Sequence, residues 1–123
     1  MEPEVQADLP QIKLELLDGM RTYMHDVSSD GGDPGYAETD ILRCETILNV
    51  FLAKVASAHA NDSDAVMAAV KEAVLAFNAL NESCDHGLIE TDQRELICEL
   101  IIQAAAASGV GSGEDITEPW REW

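Results

Sequence analysis

Basic residues are scarce in this chain: 7 Lys+Arg stand against 24 Asp+Glu in 123 residues, a formal net charge of −17 at pH 7. Binding a polyphosphate draws on clustered Lys and Arg that displace counterions, so direct nucleic-acid binding is excluded, and docking on an anionic membrane surface is disfavoured for the same reason. No stretch approaches the roughly 18 apolar residues that cross a bilayer, and no N-terminal segment joins a basic start to an apolar run. A cytoplasmic location is the expectation. Cysteine is limited to Cys44, Cys84 and Cys98, an odd set without CxxC spacing, which reads as free buried thiols in a reducing compartment. Aromatics number six, and two of them, Trp120 and Trp123, fall in the last four residues.

What the chain does have is a 46% hydrophobic content, spaced too regularly for a disordered acidic tail. Its length suits a single core. Residues 1–40 carry 10 acids and 2 bases, residues 41–80 carry 4 and 3, and residues 81–123 carry 10 and 2, for net values of −8, −1 and −8. The near-neutral middle is therefore expected to be the most enclosed part, between acidic outer walls.

Helical periodicity dominates. Leu9, Ile12, Leu16, Met20, Tyr23 and Val27 recur at three- and four-residue steps and predict a helix over 9–27, capped by Asp8 with Pro10 in the first turn and Gln11 as capping-box partner. Residues 28–35, Ser-Ser-Asp-Gly-Gly-Asp-Pro-Gly, form the main loop. A second helix is expected from Glu38 or Thr39 to His59, with Ile41, Leu42, Cys44, Leu48, Phe51, Leu52 and Val55 as its apolar face. Asn61-Asp62-Ser63-Asp64 closes it and caps a third helix over 63–84, whose seam is Val66, Val70, Ala73, Val74, Phe77, Leu80 and Cys84. After a turn at Cys84-Asp85-His86-Gly87, Thr91 is the expected N-cap of a fourth helix, buried through Leu96, Ile97, Leu100, Ile101, Ala104 and Ala105. Fold class follows: an all-α, four-helix bundle-like domain over 1–108, then a Gly/Ser linker and tryptophan-bearing tail over 109–123.

Catalytic chemistry finds little support. His25, His59 and His86 lie on a helix face, at a helix end and in a turn, and nothing places a Cys–His pair beside an oxyanion donor set. No enzyme and no cofactor is expected. The loop Asp30–Ile41 has Gly35 at the sixth place of a calcium loop, but Gly32, Pro34 and Ile41 stand where ligands are required. Cys84, His86 and Cys98 lack both a fourth ligand and the usual spacing for zinc. No metal site is expected.

The acidic surface is the stronger signal. Asp92, Glu95 and Glu99 share a face of the fourth helix, and Glu15 and Asp18 lie on the polar side of the first. Carboxylates at one-turn spacing match a Lys/Arg cleft, and a high negative charge speeds capture of a basic protein while costing stability by self-repulsion. Trp120 and Trp123, three residues apart beside Arg121, fit two roles: a lid on the bundle, or interface anchors of the kind that carry hot spots.

Residues 78–103, from Asn78-Ala79-Leu80-Asn81 to Ile101-Ile102-Gln103, and the ending Glu-Asp-Ile-Thr-Glu-Pro-Trp-Arg-Glu-Trp resemble a type of small acidic bacterial protein. In size and charge the chain is also similar to helical immunity proteins that neutralise nuclease toxins and to phage-encoded nucleic-acid mimics. The functional expectation is an acidic inhibitor of a basic nucleic-acid-acting protein, such as a nuclease-like toxin, contacting it through Glu15, Asp18, Asp92, Glu95, Glu99, Trp120 and Trp123. The alternative is a self-associating structural module, a homodimer paired through the Ala-rich third and Ile-rich fourth helices.

Overall fold

The computed structural model describes residues 9–58, 62–111 and 115–123. Asp8, His59, Asn61 and positions 112–114 of the expected linker lie outside the described residues. Four helices follow in order: α1 (Leu9–Ser29), α2 (Glu38–Ser57), α3 (Ser63–Ser83) and α4 (Thr91–Ala107). No strand occurs among the described residues, and no helix among them is long and apolar enough to cross a membrane. The all-α bundle expected from periodicity is what forms.

Helix ends are set by local hydrogen bonding. Beyond α1, the Gly32 N–H reaches Val27 O at 2.9 Å and the Gly31 N–H reaches Ser28 O at 3.0 Å, with Gly31 at φ +84°. This closure needs a residue in the left-handed region, which glycine adopts freely, and it carries α1 two residues past the expected Val27. The same closure follows α4, where Val110 donates to Ala105 O and Gly109 to Ala106 O, both at 2.9 Å. Val110 is thereby buried, so the first part of the expected linker is an ordered cap. The N-cap of α4 is Glu90, not Thr91: the Gln93 side chain accepts from the Glu90 N–H at 3.1 Å, the return half of a capping box.

Pairing between helices gives the bundle its order. α2 packs most extensively on α3, and α1 on α4; α1 also meets α2, and α3 meets α4. Lys13 reaches Asn49 and Arg21 reaches Glu38, so α1 and α2 run antiparallel. The whole expected seam of α3 is buried, as are Ile97, Leu100, Ile101, Ala104 and Ala105 on α4.

Two sequence expectations need correction. Tyr23 and Leu42 are exposed, at 45% and 46%, because α1 and α2 bury narrower stripes than their full apolar pattern. Tyr36, in the connection between α1 and α2, is buried and donates its hydroxyl to Met20 O at 2.9 Å; burial pushes its pKa up to about 12. Among the described residues the near-neutral middle holds the largest share of buried side chains, as expected, although α2 and α3 form one side of the bundle and leave Val50 and Leu75 exposed at 44% and 45%.

Candidate functional site

Because α1 and α4 lie side by side, carboxylates far apart in sequence line one cleft. Glu15, Asp26 and Asp92 surround a cavity of about 530 Å³ together with Thr22, Tyr23 and Gln93. Gly19 sits at its floor, where a β-carbon would meet Gln93 Nε2 at 3.9 Å. Neither Lys nor Arg lines it.

The helix wheel explains that imbalance. The two cations of α1 lean the other way, onto α2: Lys13 bonds Asn49 at 2.9 Å and lies 3.8 Å from Glu45, and Arg21 grips Glu38 through Nε and Nη2. That fork holds the Glu38 carboxyl below the usual carboxylate range. Counted by helix, the net charges of α1 to α4 are −1, −1, −2 and −2, leaving −11 for termini and connections. The α1–α4 cleft is therefore distinguished by which way its ions point, and the division by thirds of the chain did not capture this.

Of the predicted contact residues, Glu15 and Asp92 meet at the cleft. Asp18, Glu95 and Glu99 are exposed on the same two helices but do not line it, and Glu99 accepts a bond from Gln103 one turn on, at 3.0 Å. Asp26 and Tyr23 are cleft residues that sequence reasoning did not single out as sites. Asp26 was visible one turn beyond Thr22 on the polar face, but only the pairing of α1 with α4 gives it a role.

The tail lies elsewhere, against α3 and α4. Trp123 meets Phe77 edge to face with ring centroids 6.0 Å apart, and Arg121 stacks 5.6 Å above the Trp123 ring. Asn78 donates to Trp120 O at 2.8 Å and accepts from the Glu122 N–H at 3.1 Å. Trp120 and Trp123 are half-buried, which is the lid arrangement, and the Trp123 indole N–H is buried without a hydrogen-bond partner.

Beneath the tail, Arg121 bonds Asp115 at 2.8 Å, Thr117 Oγ1 at 3.2 Å and Cys98 Sγ at 3.1 Å. Burial works to raise the Asp115 pKa, but bonds from the Thr117 hydroxyl, the Thr117 N–H and Arg121 outweigh it and hold it below its ordinary value. Cys44 and Cys84 are buried and Cys98 half-buried, and all three are free thiols; burial pushes Cys44 up to about 12.

Among the described residues, no group of three or more His, Cys, Asp or Glu side chains is arranged to hold a metal ion. Comparison with family models, with curated proteins and with solved structures finds no match to the chain.

Proposed function

We propose that the α1–α4 face binds a basic protein stoichiometrically and blocks it, in the manner of an immunity-type inhibitor or antagonist of a nucleic-acid-acting partner. One observation carries the reading: three carboxylates, Glu15, Asp26 and Asp92, line one cleft that no cation lines. Unpaired acids at a concave surface focus a negative field outward, where it raises the encounter rate with a positive partner. Tyr23, half-exposed at the same cleft, supplies an aromatic contact of the kind that anchors interfaces. Asp18, Glu95 and Glu99 extend the acidic surface around it. Trp120 and Trp123 belong to a second, tail-borne patch, which joins the contact only where the partner reaches round to α3.

The test is binding of the full chain to the protein it captures from its host, measured by calorimetry across a salt series. Affinity falls at least tenfold between about 0.05 and about 0.2 M salt. Glu15→Lys and Asp92→Lys each weaken binding about tenfold or more, whereas Glu82→Lys on α3, which changes net charge equally, does so much less. Equal effects from all three variants would mean that only overall charge matters and would sink the assignment to this cleft.

A further inference from the structure

We propose that the outer groove between α2 and α3 is a self-association surface that receives a second copy of this chain. Two adjoining cavities, of about 200 and 440 Å³, run along it and share Thr46, Ile47 and Ala76. Val50 borders one end and Ala79 the other.

The groove is apolar because its polar atoms are already engaged. Thr46 Oγ1 donates to Leu42 O at 3.0 Å and Ser83 Oγ to Leu80 O at 2.6 Å, so both residues turn carbon outward. Its two charged borders are neutralised within the chain: Glu72 pairs with Lys54, and Arg43 lies 3.6 Å from Asp40. A surface that is apolar between paired bordering ions is one whose burial is favoured by the hydrophobic effect without leaving unpaired ions.

Charge selects the occupant. A basic partner gains nothing from a neutral groove when an unpaired acidic cleft lies on the opposite pair of helices. A second copy, carrying −17 itself, is repelled by the acidic cleft and approaches most easily where the bordering ions are paired. Two copies meeting back to back leave both α1–α4 clefts facing outward. Size is adequate as well. α2 has 20 residues, about 30 Å of helix, and a two-helix face about 20 Å wide then offers roughly 600 Å², towards the low end of the ~800 Å² per partner typical of specific interfaces. Ile97 and Ile101 of the fourth helix are fully buried in their own bundle, so those two side chains offer no surface to a second copy.

Sedimentation equilibrium of the full chain over a concentration series at low and high salt decides the matter. The expected result is a reversible dimer whose association strengthens as salt screens the residual repulsion between copies. Val50→Glu and Ala79→Glu, both at exposed positions, weaken association at least about 30-fold while retaining the helical circular dichroism of the folded chain. Leu14→Glu, equally exposed but on α1, leaves the dimer intact. A chain that stays monomeric throughout the series overturns the proposal, as does a dimer indifferent to both groove variants. Neither result bears on the acidic cleft, whose binding weakens with salt.

Discussion

Asn81 shows how much one buried polar residue can organise. It sits 3% exposed near the end of α3, and its Oδ1 accepts from the Leu88 and Ile89 N–H groups at 3.1 and 2.9 Å. Its backbone carbonyl accepts from the His86 N–H at 2.7 Å. These bonds hold a turn in which Asp85 and His86 both adopt left-handed backbone, at φ 55° and 61°, a conformation costing non-glycine residues about 1–2 kcal/mol each. The turn in turn places Leu88 and Ile89 in the core and starts α4 beside α1. Asn81→Ala leaves two buried donors unpaired at about 1–3 kcal/mol each, so the urea midpoint is expected to drop by an amount equivalent to about 2–4 kcal/mol with an unchanged slope. A loss below about 1 kcal/mol would show that the turn holds itself.

Among the elements, the tail is the one most open to titration. Its hold combines the Trp123–Phe77 contact with the Asp115–Thr117–Arg121 cluster, and it is offset by the unpartnered Trp123 N–H. Asp115 titrates below its ordinary 3.8, so its contribution to docking is complete above that pH and is lost as pH falls through the lowered value. Since Trp120 and Trp123 are the chain's only tryptophans, their fluorescence reports on the tail: an acid transition centred below 3.8 is expected, absent in Asp115→Asn. A transition unchanged in that variant would assign it to other carboxylates. The same elements mark how far sequence reading reached. The seam of α3 was legible in full, because Val66, Val70, Val74 and Phe77 follow the helical period and every one is buried. Tyr36 was not, because its burial depends on the loop folding back to Met20 O, a contact 16 residues away. Glu15 and Asp92 were picked as acids on helices, but their meeting at one cleft depends on α1 pairing with α4 across the whole chain, which periodicity does not encode.

For the whole molecule, the question is what a charge of −17 does to a bundle of this size. Lys13, Arg21, Arg43, Lys54 and Arg121 each pair with one acid, so among 24 acids most have no cation to offset them. Exposed pairs of this kind contribute about 0–1 kcal/mol each, and added salt weakens them only slightly. Repulsion among the remaining carboxylates acts over distances comparable to the screening length, about 10 Å at 0.1 M salt, and is relieved as that length contracts. The two effects oppose one another, and the larger number of unpaired acids decides the sign. Thermal stability is therefore expected to rise by several degrees between about 0.02 and about 0.5 M sodium chloride, chloride being chosen because sulfate strengthens apolar burial on its own account. The measurement is made at one fixed protein concentration, since self-association through the α2–α3 groove would itself raise the midpoint by mass action. To separate the two contributions, Val50→Glu is melted in parallel: folding repulsion gives the salt-dependent rise in both proteins, whereas dimer linkage gives it in the parent alone. A midpoint that falls with salt in both would show that the ion pairs outweigh the self-repulsion, and that the unpaired cleft adds less to the field than its lining residues imply.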